Sequence, residues 1–266
     1  MTIKAEKLAK EVYSVKRIFK IAIGSLTFAL VPSLPALAAM HSGSNPKVIF
    51  QKAPITNPAT LFYDAQHGIS AVAHSPFHLS AAMINQRGKN VSRQFGVQTF
   101  STTQIVKKVQ LSNGIKQDYV TTGFAVANTG SDPSYNNTNW DSTGAVEAYG
   151  TIYWDNVISQ GRNETLLSKV TGGWNNNDNL ITLQNPTVNF GEEGVSLRSS
   201  GGTYNTSNQY IDGLRPFSWP FTYYAPSSWH AIETPPVFRI FGQYTSVTLV
   251  RGSSSWSLTL TDEYNN

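Results

Sequence analysis

The chain has 266 residues, 20 of them Lys or Arg, 16 Asp or Glu, 40% hydrophobic and none cysteine, so thiol nucleophiles, thiolate metal sites and disulfide staples are excluded. A chain of this length buries a core without such staples. The formal charge of +4 sits in the first 38 residues, which hold six bases and two acids; the rest carries 14 of each, scattered, which argues against nucleic acid as a partner.

Lys4, Lys7, Lys10, Lys16, Arg17 and Lys20 form a basic leader, followed by an uncharged apolar run over Ile21–Val31. Pro32, Pro35 and Ala36-Leu37-Ala38 come next, a small-x-small exit. This order predicts a secretory signal peptide over residues 1–38, cleaved after Ala38. The apolar run is shorter than the ~20 residues a bilayer span needs, so no transmembrane anchor is expected in the mature form. A cysteine-free export product with a long basic leader points to a secreted protein of a Gram-positive bacterium. With no Leu-Pro-x-Thr-Gly sorting signal, the product is expected to be released or held non-covalently.

Residues 39–95 read as an N-terminal extension, partly irregular, with Pro46, Pro54, Pro58 and Pro76 and four histidines. One short helix is predicted within Ala71–Arg87, starting near Pro76 with Leu79, Ala82 and Met83 on one face. Residues 96–266 read as a β domain. Thr103–Leu111 and Tyr119–Asn128 flank Ser112-Asn113-Gly114, and Asn-Gly between alternating runs predicts a hairpin. The polar stretch Thr129–Thr143 predicts a surface loop. Val146–Trp154 is the next strand. Leu166–Val170 and Leu180–Leu183 are predicted as separate strands around Gly172-Gly173-Trp174, and Gly191-Glu192-Glu193-Gly194 as a tight turn. Tyr244–Arg251 and Trp256–Thr261 alternate around Gly252-Ser253, a second hairpin. The fold class expected is all-β, an antiparallel β-sandwich with an irregular N-terminal extension.

Asp64, His67, His74 and His78 gather the good metal ligands, and two histidines four apart share one helix face. Pro76 between His74 and His78 works against that facing, since proline breaks a helix interior. Asn137, Asn139 and Asp141 alternate like calcium ligands, but Ser142 and Ala148 stand where a calcium loop needs glycine and an acid, so the bland reading is an Asn-rich turn. No cofactor is expected. Glu192-Glu193 reads as solvated, Asp155 closes a strand without a second carboxylate beside it, and no nucleophile elbow, phosphate loop or dinucleotide motif occurs.

The aromatic supply points further. Trp140, Trp174 and Trp229 fall in polar loops, where a flat ring beside amides stacks on a sugar, while Trp154 and Trp256 alternate into the core. The function expected is therefore a secreted, non-enzymatic extracellular or cell-surface protein whose partner is a glycan or the cell envelope. Two alternatives stand beside it. One is a secreted polysaccharide-acting hydrolase using Asp155. The other is a self-assembling matrix or pore-forming β protein, since long Ser/Thr-rich strands with unblunted edges invite self-association.

Overall fold

A computed structural model describes residues 46–72, 77–92, 96–112, 114–127, 145–159, 162–196, 205–234 and 240–265. The expected signal segment and its expected cleavage point after Ala38, the stretch Asn137–Asp141, Trp140 and His74 lie outside the described residues. The elements in chain order are β1 (Lys47–Gln51), α1 (Pro58–Gln66), β2 (Phe77–Asn85), β3 (Gln98–Leu111), β4 (Gly114–Ala127), β5 (Val146–Ser159) and β6 (Arg162–Asn176). They continue as β7 (Thr182–Ser196), β8 (Asn205–Leu214), β9 (Phe221–Tyr224), β10 (Ile232–Thr234), β11 (Ile240–Arg251) and β12 (Ser254–Asn265). The protein is all-β with antiparallel pairing, as the alternation predicts.

Two arms make up one hydrogen-bonded sheet. The first runs β1-β3-β4-β5-β6, with β9 on the far edge of β6. The second runs β7-β11-β12-β2, with β8 on the far edge of β7. The three residues of β10 pair with β6, and Glu233 among them also pairs with Val195 of β7, which joins the arms. The arms face each other: β12 lies against β4 and β5, β11 against β5 and β6, and β2 against β3 and β4.

Side chains alternate in strands, so each strand of the first arm has an inner and an outer row. The inner row fills two apolar clusters. One gathers Met83, Ala125, Ala148, Trp174, Val247, Leu258 and Leu260; the other gathers Phe77, Tyr119, Ile152, Trp154, Phe190 and Phe241. β3 and β4 pair as far as Leu111 and Gly114, and β11 and β12 as far as Arg251 and Ser254, so both hairpins form where the sequence predicts them.

The outer row of β3, β4 and β5 is covered as well. Asn57 caps α1, its Oδ1 accepting from the Thr60 N–H at 3.1 Å, and Pro58 opens the first turn. The helix then buries Leu61, Phe62 and Ala65 on Phe124, Val126 and Tyr149. Phe62 meets Phe124 at 5.2 Å and Phe100 at 5.6 Å between ring centroids. Burying Leu61 and Phe62 contributes about 1.5–3 kcal/mol each. This cover explains why Val120–Ala127 is buried on both faces and reads as a continuous run instead of an alternating one.

Three local expectations are corrected. Within Ala71–Arg87 the described residues form strand β2 where a helix was expected, because Phe77, Leu79, Ala81 and Met83 share the parity that faces the core, with β12 paired along its length. The short helix of this region is α1, upstream. Gly172-Gly173-Trp174 is strand interior, within the last third of the 15-residue β6. Gly191-Glu192-Glu193-Gly194 likewise continues β7, where Glu192 is buried and accepts from the Leu167 N–H at 2.8 Å and the Gln209 Nε2 at 2.9 Å. The stretch 39–95, expected as an extension, supplies β1, α1 and β2, strands at both ends of the sheet path and the cover of the first arm.

Candidate functional site

Beyond the reach of α1, the outer face of β5, β6 and β9 presents a regular strip. Register sets its rows. Tyr153, Lys169 and Tyr224 stand directly opposite one another across the three strands. The next row is Thr102, Thr122, Thr151, Thr171 and Thr222, running from β3 to β9. Thr102, Thr122 and Thr151 are buried, with the Thr122 and Thr151 hydroxyls 2.9 Å apart and Thr102 donating to the Ile69 carbonyl at 2.7 Å. Thr171 and Thr222 lie at the open end. β-branched and aromatic side chains suit such a pleated face, and cross-strand pairs of this kind add roughly 0.2–1 kcal/mol each.

The Lys169 ammonium lies 3.6 Å from the Tyr153 ring centroid and 6.0 Å from that of Tyr224. Tyr224 is 71% exposed. Thr171 hydrogen-bonds the Tyr153 phenol, whose pKa burial raises. At the far end Glu147 sits opposite Asn175, which hydrogen-bonds it; burial nonetheless pushes its carboxyl up to about 6.

The loop from Arg215 to Pro220 borders this strip. A side chain at Gly173 would run into the Tyr149 phenol and the Trp219 Cβ, so the missing Cβ is what lets Trp219 settle against the edge of β6. The Trp219 ring stands edge-on to Trp174, 5.4 Å between centroids at 81°, and remains 37% exposed. Two residues earlier Phe217 is fully exposed. Pro216 and Pro220 fix φ on either side of these two rings, which reduces the entropy lost when a ligand orders them.

The tryptophans singled out from sequence are placed differently from one another. Trp174 is 1% exposed and belongs to the core between the arms, its Nε1 without a partner among the described residues. Trp229 is half-buried, 5.8 Å from Phe190, packed against the second apolar cluster. Trp154 is core, as expected. Phe217 and Trp219, which do face solvent, stand in Pro216-Phe217-Ser218-Trp219-Pro220, aromatics bracketed by prolines, a signal the sequence offers; Tyr224, also exposed, has no such signal.

His67 ends α1, stacked on Tyr63 at 4.0 Å with its Nδ1 2.8 Å from the Tyr63 carbonyl oxygen. Asp64 lies one turn back on α1, and His78 is exposed on β2, opposite Glu263. Among the described residues no three His, Asp or Glu side chains gather where a metal ion would be held. Asp155 is tied to Lys116 at 2.6 Å and stands opposite Asp118 on β4, with which it shares a hydrogen bond. Desolvation raises its carboxyl, against the pull of Lys116. Two carboxyls in direct contact are closer than the roughly 5–10 Å that flanks a glycosidic bond.

A second polar group sits inside. Gln243 and Asp262 are directly opposite on β11 and β12, in the row between the two apolar clusters, with Thr245 two residues along. Both carboxylate oxygens of Asp262, both amide atoms of Gln243 and the Thr245 hydroxyl lack hydrogen-bond partners among the described residues. They fit because the facing row holds Gly123 and Gly150, themselves paired; a Cβ at Gly150 would overlap the Gln243 carboxamide, and one at Gly123 would press on Leu79 and Asp262. Burial drives the Asp262 carboxyl well above its ordinary pKa.

Among the described residues no helix is long and apolar enough to cross a membrane. No family model, no curated protein and no solved structure matches this chain.

Proposed function

We propose that this is an extracellular, non-enzymatic binding protein for a glycan of the cell envelope or its surroundings. Its contact surface is the outer strip of Tyr153, Lys169, Thr171, Thr222 and Tyr224, with Trp219 and Phe217 at the rim. The observation that carries the reading is the set of exposed rings, Phe217, Trp219 and Tyr224, held on a strand and a proline-bracketed loop. Large rings left in water are costly and mark binding surfaces, and a ring beside hydroxyls matches the apolar face and rim of a sugar. Secretion, expected from the leader, supplies the compartment in which such a ligand is met.

The test is retention on insoluble polysaccharides and purified cell-wall sacculi, with release of reducing sugar assayed in the same tubes. Trp219→Ala and Tyr224→Ala should weaken retention at least fivefold while the melting temperature stays within a degree or two. Full retention by the double variant would show that the strip is not the contact surface, and sugar release would favour the hydrolase.

A second reading, self-association, has its own observation. All five residues of β1 are exposed, with Val48, Ile49 and Phe50 among them, and β1 pairs only with β3 among the described residues. An apolar edge strand is a template for another chain. Sedimentation across a concentration series should then show oligomers that Ile49→Lys abolishes; a monomer at every concentration removes this reading.

A further inference from the structure

We propose that the ligand of the outer strip carries an anionic group, a carboxylate or phosphate on the glycan, and that Lys169 is its receptor. This rests on the glycan reading above and narrows it. Lys169 occupies the middle of the strip, directly between Tyr153 and Tyr224 in register. Its ammonium is half-buried over the Tyr153 ring and, among the described residues, is paired with no carboxylate.

The nearest acidic groups of the same face are engaged or distant. Asp155 and Asp118 are taken up with Lys116, at 2.6 and 3.6 Å. Glu164 lies five residues from Lys169 along β6, about 16 Å, and Glu147 six residues from Tyr153 along β5, about 20 Å, at about 3.3 Å per residue. Burial lowers the pKa of Lys169, the direction expected of a cation partly stripped of water with no anion to offset the cost. Two aromatic faces hold the ammonium in place but leave its outer hydrogens free to donate, and a fixed, partly desolvated cation between rings suits an anion borne on a ring that stacks beside it.

The experiment compares binding of the full chain to three soluble polymers in affinity gels: a polyuronate, a poly(glycerol phosphate) and a neutral β-glucan. A charge-assisted hydrogen bond is worth about 1.5–3 kcal/mol, so at least one anionic polymer should retard the protein roughly tenfold more than the neutral one. Added salt should erase that preference. Lys169→Met, which keeps the stem over Tyr153, should reduce binding to the neutral level, and Lys169→Arg should restore it. Equal binding to neutral and anionic polymers by the wild-type chain, or an unchanged preference in Lys169→Met, overturns the proposal while the glycan reading stands. Binding to none of the three, nor to sacculi, overturns both. Salt dependence and competition by free galacturonate against galactose are read on the wild-type chain alone, so a poorly folding variant does not shield the proposal. Competition by galacturonate but not by inorganic phosphate assigns the anion as carboxylate; the reverse assigns it as phosphate.

Discussion

Trp174 and Trp219 touch edge to face, yet they belong to opposite regimes, one inside β6 and the other on the loop ahead of β9. Trp174 points from β6 into the core, 1% exposed, among Ala148, Val247 and Leu249. Trp219 packs on the backbone where Gly173 lacks a side chain and keeps 37% of its surface in water. The same contrast holds for whole rows. The inner row is mostly apolar, with buried Thr103, Thr121 and Glu192 hydrogen-bonded and the polar atoms of Gln243, Thr245 and Asp262 unpaired among the described residues; the outer row is apolar under α1 and polar and aromatic beyond it, with the Thr122 and Thr151 hydroxyls paired to each other. The inner face holds the arms together, and the contact surface proposed for a glycan lies on the outer face of β5, β6 and β9.

The largest effect should come from testing that division directly. Trp174→Ala removes a fully buried indole and should cost about 3–5 kcal/mol in urea unfolding, enough to unfold a marginal domain. Trp219→Ala should cost under about 1 kcal/mol, because most of what it loses is contact with one neighbouring ring. Equal costs would place both rings in one core and remove Trp219 from the contact surface.

Next in size is Gly242→Ala on β11. A Cβ there would run into the backbone of Asp262 and Glu263, which cannot move without breaking the β11–β12 ladder, so a cost of about 1–3 kcal/mol or more is expected. Gly150→Ala meets only the end of the Gln243 side chain, which can rotate aside. Its thermal shift should be clearly smaller than that of Gly242→Ala. The reverse order would mean that Gln243 is locked and the inner polar strip is rigid.

The strands that alternate cleanly were legible because period and turn chemistry agree: Asn-Gly and Gly-Ser sit between runs whose apolar residues fall on one parity. Glycine misled elsewhere. Gly172, Gly173 and Gly191 are depleted-residue signals within a strand and suggest turns, but their reason is tertiary, the close approach of Phe221, Trp219 and Tyr210 from segments 19 to 49 residues away. Leu79, Ala82 and Met83 satisfied a helical spacing over too short a window, and only pairing with β12 decides for a strand. The site was half visible. Asp262 falls on the same parity as Leu258 and Leu260, so alternation placed it inside while its charge argued for outside. The strip of Tyr153, Lys169 and Tyr224 draws on three strands whose register no single sequence states.

The smallest expected effect, and the sharpest test of the inner face, is on the pH dependence of stability. Burial pushes Glu192 up to about 8 and Glu147 up to about 6, against 4.5 for an ordinary glutamate, although the Leu167 N–H favours the charged form of Glu192. Below about 4.5 Glu192 is protonated in folded and unfolded chains alike and adds no pH dependence. From there to about 8 the unfolded chain gives up a proton that the folded chain retains, so stability falls as pH rises; above about 8 the loss is complete. The wild-type urea midpoint should therefore drop between pH 5 and pH 8.5. Glu192→Gln should flatten the part above about 6, where Glu147 has already titrated, and stabilise the protein at pH 8 by about 1 kcal/mol once its altered hydrogen bonding to Gln209 is counted. Asp262→Asn sharpens the comparison, because Asp262 is buried like Glu192 but has no hydrogen-bond donor among the described residues to lose. It should stabilise at pH 8 and change little in mild acid. Curves for either variant that run parallel to wild type at every pH would show that the corresponding carboxyl is ionised and solvated in the folded chain, and the contrast between a dry inner face and a wet outer one would fail at that residue.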